Sequence, residues 1–168
     1  MTFVFAKELR GPAEALLISG PSSTSLSEVE YLLLTQDNQP PLAFEIRYEC
    51  HYSPFREAVV AGNVLVVGHE AHCYLFDLDA GQPMLSLEMD GYFGHLYVAD
   101  GLIYIADAAG LFCIDQTGRI RWHTANLGID GVVVSWISAA EITGSGEWDP
   151  PGGWIDFRLD RHTGRAIN

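Results

Sequence analysis

The sequence predicts an all-β chain built from about four repeated antiparallel units of four strands each, and three observations carry that prediction. Short apolar runs recur along the chain and lead into glycine turns. No stretch sustains the i, i+3, i+4, i+7 spacing of an amphipathic helix over three turns. Apolar residues make up 48% of the 168 residues and charged residues 18%, which is the composition of a folded domain rather than a disordered chain. A chain of this length forms one domain, residues 1–168, and buries a core without metal or disulfide staples.

The turn signals set the register of the repeat. Three runs end in glycine: CYLFDLDAG over residues 73–81, LFCIDQTG over 111–118 and WIDFRLDRHTG over 154–164. A degenerate copy, EYLLLTQDNQ over 30–39, places Asp37 and Asn38 at the turn; asparagine and glycine both tolerate positive φ and close hairpins. Upstream of each copy lies another short run, at 16–18, 64–67, 102–105 and 141–143. Downstream come 42–48, 84–89, 120–123 and the stub 165–168. Opening strands at 3–6, 58–61, 96–99 and 132–137 complete four repeats, approximately 1–56, 57–94, 95–130 and 131–168. Ser25 and Glu28 have the spacing of a helical capping box, but residues 31–34 read as strand and the polar stretch 20–27 as a loop.

The strand types differ for a physical reason. The second strands at 64–67 and 102–105 are apolar on both faces, as a strand sandwiched between neighbouring sheets must be. The fourth strands alternate, with Phe44, Ile46 and Tyr48 against Glu45 and Arg47, and Leu85, Leu87 and Met89 against Ser86 and Glu88. Interior strands followed by half-wet outer strands describe the blades of a β-propeller-like array. Such an array closes as a four-bladed ring, remains an open stack, or is completed by a second copy. The short strand at 165–168 leaves an edge through which a homodimer would form.

The segment LIYIADAAGLFCIDQTGRIRW, residues 102–122, pairs two apolar strands with an Asp, a Thr-Gly turn and a following Trp. It resembles the PQQ-like repeat of β-propellers. The resemblance covers one repeat well, two moderately and one poorly, and it implies architecture rather than activity. The Asp stands two, three and four residues before Gly81, Gly118 and Gly164, and only Trp122 fills the Trp position. Quinone-using members of that superfamily are much longer, so the resemblance implies no quinone cofactor.

Charge narrows the function. Twenty-two acidic and nine basic residues give −13, and every Lys and Arg lies outside residues 57–118. Such a field repels nucleic acid and anionic membrane and attracts a basic partner. The competing reading is that the acids keep the chain soluble and several Asp simply serve turns. No run approaches a membrane span and the first ten residues lack a signal-peptide layout, so the expected location is cytoplasmic. Cys50, Cys73 and Cys113 read as reduced thiols.

The strongest local anomaly is GSGEWDPPGGW over residues 144–154. It stretches the turn-to-turn spacing from 37 residues, between Gly81 and Gly118, to 46, between Gly118 and Gly164. Pro150 and Pro151 stiffen this loop, and Trp148 and Trp154 stand beside the carboxylates Glu147 and Asp149. Aromatic anchors among carboxylates suit a basic or polar protein partner, so Glu147, Trp148, Asp149 and Trp154 are the candidate binding residues. The alternative is that both tryptophans fold inward and plug the core.

Catalytic signals are weaker. The run HEAHC over residues 69–73 has one residue between Glu70 and His72 where a metalloprotease helix needs two, so His69 and His72 read as solvated turn histidines. Cys50 and His51 are neighbours on a strand and face opposite ways. No Gly-x-Ser-x-Gly elbow and no phosphate-binding glycine loop occurs. The sequence therefore implies no metal and no cofactor. It favours a non-enzymatic acidic protein-binding module, for instance an immunity-type inhibitor of a basic partner. The alternative is a small hydrolase or lyase using Glu147, Asp149 and His95 or His123 on the loop-bearing face, and a third reading is a structural module of a larger assembly.

Overall fold

The computed structural model describes residues 2–9, 14–35, 40–49 and 55–167. Among them the regular elements are β-strands, with one short 3-10 helix at Pro21–Ser25. The expected turn at Asp37 and Asn38, the Cys50–His51 pair and Asn168 lie outside the described residues. No helix among the described residues is long and apolar enough to cross a membrane.

The strands form four sheets that follow one another along the chain. The second holds β5 (Arg56–Ala61), β6 (Val64–His69), β7 (His72–Asp77) and β8 (Gln82–Glu88). The third holds β9 (Phe93–Ala99), β10 (Leu102–Asp107), β11 (Leu111–Asp115) and β12 (Ile120–Thr124). The fourth holds β13 (Val132–Ile137), β14 (Glu141–Glu147) and β15 (Trp154–Asp160). All three are antiparallel meanders in which neighbours in sequence are neighbours in the sheet. In the fourth, the expected last strand is reduced to a single bridge between Leu159 and Ala166.

The first sheet departs from the expected repeat. It comprises β1 (Thr2–Ala6), β2 (Ala15–Leu17), β3 (Glu28–Thr35) and β4 (Leu42–Tyr48), in the order β1-β3-β4-β2. β2 pairs with β4, and in parallel. A parallel neighbour cannot be reached by a hairpin, so the chain needs a connection of its own. The polar segment expected as a loop supplies it: the 3-10 helix is tied down by the Ser19–Ser23 hydroxyl contact at 2.7 Å and by Ser23 Oγ donating to the Gly20 carbonyl. Glu30, near the start of β3, meets His69 at the end of β6 across the interface of the first two sheets.

Each sheet packs on the next through an apolar core. Leu32, Leu34, Phe44 and Ile46 of the first sheet meet Leu65, Val67 and Phe76 of the second. Val64, Val66 and Leu75 then meet Ile103, Ile105 and Ile114 of the third. Tyr104, Ala106 and Leu111 meet Val132, Ile142 and Leu159 of the fourth. β6 is buried at every position, because its alternate residues enter two different cores. Among the described residues no core joins the first sheet to the fourth.

The repeated Asp has a mechanical role. Asp115 Oδ1 accepts bonds from the Thr117 amide and hydroxyl, and Asp160 Oδ1 does the same for Thr163. Asp77 Oδ1 accepts from the Asp79 and Ala80 amides. The residue equivalent to Asp115 and Asp160 is therefore Asp77 and not Asp79, which makes the three turns more alike than their spacing to glycine implies. The Thr117 hydroxyl holds the Asp115 carboxyl below its usual range, and the Thr163 hydroxyl does so for Asp160. Gly118, at φ 79°, completes its turn in a region that side chains disfavour.

Candidate functional site

In a meander, alternate connections emerge at the same end of the sheet, and five of them meet at one end of the second to fourth sheets. They are residues 70–71, 89–92, 108–110, 125–131 and 148–153. Backbone bonds stitch them together: Phe93 N to Glu70 O, Ala108 N to Tyr92 O, Leu127 N to Ala109 O and Gly131 N to Ala108 O. Glu147 N donates to Gly131 O at 2.9 Å and Ile129 N to Glu147 O at 2.8 Å, which joins the fourth sheet to the same network.

Asp107 anchors this end. It is fully buried, and its carboxylate accepts bonds from Asp90 N at 3.0 Å, Ala109 N at 2.9 Å and Gly110 N at 2.6 Å. A buried carboxylate is stable where backbone N–H groups surround it, and here one carboxylate orients two connections at once.

The charge of this end follows from its residues. The five connections and the strand ends beside them carry Glu70, Glu88, Asp90, Asp107, Asp130, Glu147 and Asp149, with no lysine or arginine. Arg56 opens β5 here, but its guanidinium binds the buried Glu30. The opposite end holds Arg119, Arg121, Arg161 and Arg165 together with Asp77, Asp79, Asp100, Asp115, Glu141 and Asp160. The basic residues, and not the acidic ones, are thus segregated along the strands, which leaves the loop-bearing end as an acidic pole with no lysine or arginine in its connections.

At this pole lies a cavity of about 150 Å3, lined by Phe55, Tyr92, His95, Asp130, Glu147 and Trp154 together with Gly94, Gly131, Val132 and Val133. Glu147 and Trp154 are directly paired across β14 and β15. The Tyr92 hydroxyl donates to the Asp130 carbonyl at 2.8 Å, and burial together with the Asp130 carboxylate pushes its pKa up to about 12. Phe55 stacks on Tyr92 with ring centroids 5.9 Å apart. Gly131, at φ 142°, forms the floor: a Cβ there would lie 3.6 Å from the Trp154 ring and 3.8 Å from the Tyr92 hydroxyl. His95 Nδ1 lies 2.7 Å from Glu57 Oε1, and Glu57 Oε2 accepts from Leu96 N at 2.8 Å.

The structure brings two of the four candidate residues, Glu147 and Trp154, into this cavity. Trp148 and Asp149 sit at the tip of the β14–β15 hairpin, closed by Trp148 N to Gly153 O and Gly153 N to Asp149 O. Neither tryptophan plugs the core, with Trp148 38% and Trp154 46% exposed. Glu147 Oε1 accepts from Gly152 N at 2.6 Å, which folds the hairpin back over its own carboxylate. His123 lies elsewhere, stacked on Phe112.

Sequence reading missed Phe55, Tyr92 and Asp130, each of which comes from a different repeat. It also misjudged His69. That residue is 2% exposed, and its Nε2 contacts Glu30 Oε2 at 2.7 Å inside the first interface. His72 is half-buried and stacked on Tyr74. No group of three or more His, Cys, Asp or Glu side chains among the described residues is placed to hold a metal ion. Comparison with known families and with curated proteins gave no match to this chain.

Proposed function

We propose that the chain is an acidic protein-binding module whose loop-bearing end receives a basic partner, in the manner of an immunity-type inhibitor. The observation that carries this reading is the hydrogen-bonded set of five connections, which with the strand ends beside them carries seven carboxylates and no lysine or arginine. Pre-ordered loops lose little entropy on binding, and a single-sign field speeds the encounter with an oppositely charged protein. Phe55, Trp148 and Trp154, each more than a third exposed, provide the aromatic anchors that such interfaces use. The second to fourth sheets then act as consecutive blades of a propeller-type array, consistent with the PQQ-like resemblance of residues 102–122, and the first sheet acts as a differently wound cap.

The test begins with the protein that co-purifies with the chain from its native host, followed by binding measurements with the purified pair. The reading expects a basic partner, a complex that weakens steeply between low and high salt, and about tenfold or greater loss of affinity in Trp148→Ala/Asp149→Ala or Glu147→Gln/Trp154→Leu. An acidic partner, or binding indifferent to salt, refutes it.

One observation favours a second reading, that of a small hydrolase or lyase. Glu57 fixes the His95 imidazole through Nδ1, the arrangement that prepares a histidine as general base, and His95 shares the cavity with Glu147. No serine, threonine or cysteine appears among the described residues lining the cavity, so the activated nucleophile would be water. Turnover of a small ester or sugar acid that His95→Gln abolishes would establish this reading over the first.

A further inference from the structure

The cavity at the acidic pole is smaller than the roughly 300–1,000 Å3 of sites that enclose a drug-sized ligand. At about 150 Å3 it matches a void that holds one benzene-sized group. Its walls combine aromatic rings, carboxylates, the aliphatic Val132 and Val133, and the His95 imidazole, whose Nδ1 is held by Glu57. Tyr92, Phe55 and Trp154 present aromatic rings, and Glu147 and Asp130 present carboxylates. The Tyr92 phenol is locked onto Asp130 and the Glu147 carboxylate onto Gly152 N, so both are pre-positioned. Aromatic faces attract cations through the ring quadrupole, carboxylates attract them by charge, and a neutral group of the same shape gains neither.

We infer that this cavity is a socket for one basic side chain, a lysine or arginine presented by the partner. The inference rests on the binding reading above and adds to it the chemistry of a single recognised residue. Guanidinium and ammonium heads both fit the size and charge, and the alkyl stem of either lies along the exposed Trp154 ring. Gly131 suits the floor through its φ of 142°, which side chains rarely adopt, while a Cβ there would only touch Trp154 and Tyr92.

The experiment uses the full chain and three soluble probes: N-acetyl-lysine amide, N-acetyl-arginine amide and the neutral N-acetyl-norleucine amide. Backbone amide NMR shifts of Tyr92, Gly131 and Glu147 and the indole shift of Trp154 report occupancy. A saturable response to the cationic amides, about tenfold weaker for norleucine and about tenfold weaker in Glu147→Gln, supports the socket. Equal binding of norleucine, or a cationic response spread over the acidic surface without a focus at these residues, overturns it. The two readings separate cleanly. Salt-sensitive binding of a basic partner that survives Glu147→Gln/Trp154→Leu but not neutralisation of Asp90 and Asp149 removes the socket and keeps the face. Salt-insensitive partner binding removes the face whatever the amides do.

Discussion

His69 Nε2 and Glu30 Oε2 lie 2.7 Å apart inside the interface of the first and second sheets, and both side chains are almost wholly buried. Arg56 pairs with the same carboxylate, Lys7 approaches it at 3.9 Å, and Tyr48 and Phe5 pack their rings on the imidazole. With Arg56 already balancing Glu30, a neutral histidine donating from Nε2 suffices, and Nδ1 is left without a partner. The cluster is the polar lock of an otherwise apolar interface.

That geometry sets a pH dependence. Burial holds the His69 pKa below the ordinary 6.5, outweighing the raising influence of Glu30. The folded state therefore binds fewer protons at this site than the unfolded chain does. Stability is fully present above pH 6.5 and falls as pH drops through 6.5 toward the folded value. His72, also lowered by burial, adds a loss of the same sign. Urea denaturation between pH 7.5 and 5.5 is expected to show a falling midpoint, and His69→Gln, which keeps a donor toward Glu30, is expected to flatten it. An unchanged slope in the variant would place the loss elsewhere.

Asp107 is expected to be the most sensitive residue of the loop-bearing end. Asp107→Ala removes an acceptor from three amides in a buried setting and costs about 3 kcal/mol, while Asp107→Asn retains one acceptor and costs about half as much. Hydrogen exchange should locate the damage, with faster exchange at Asp90, Ala109 and Gly110 than at the core amides of β6.

How much of this was legible in the sequence depends on the range of each interaction. β6 and β10 declared themselves, because a strand apolar on both faces has nowhere to lie but between sheets. The anomalous loop around Glu147 was visible as an interruption of the repeat. The pairing of three-residue β2 with β4 was not, since nothing local distinguishes it from a strand that pairs with β3. Nor was the Glu30–His69 contact, whose partners are 39 residues apart and belong to different sheets. Tyr92 and Asp130 were hidden for the same reason: each looks like an ordinary loop residue until the connections are brought together.

Arg161 fastens the third sheet to the fourth. It is 5% exposed, with Nε donating to the Tyr104 hydroxyl at 2.8 Å, Nη1 to Asp100 at 2.7 Å and to the Ser138 carbonyl at 2.9 Å, and Nη2 to the Ala99 carbonyl at 3.0 Å. Only a planar fork reaches all four, so Arg161→Lys should restore little of what Arg161→Ala loses. The alanine variant is expected to lose about 3 kcal/mol and to melt roughly 10 °C lower. A shift within a degree or two by differential scanning calorimetry would contradict this role.

Gly146 connects stability to the site. A Cβ at this position would lie 1.8 Å from the Leu127 carbonyl oxygen, a collision with backbone that no rotamer change relieves. Gly146→Ala must therefore push the 125–131 connection outward, at a cost of about 2 kcal/mol. That connection carries Asp130 and Gly131, so the same displacement opens the cavity and separates the Asp130 carbonyl from the Tyr92 hydroxyl. Ser145→Ala, one residue earlier and on the opposite face of β14, should change stability by no more than about 0.5 kcal/mol. The expected result is that Gly146→Ala weakens both the fold and the response to N-acetyl-lysine amide while Ser145→Ala alters neither. Full retention of amide binding in a destabilised Gly146→Ala would show that the 125–131 connection does not shape the cavity.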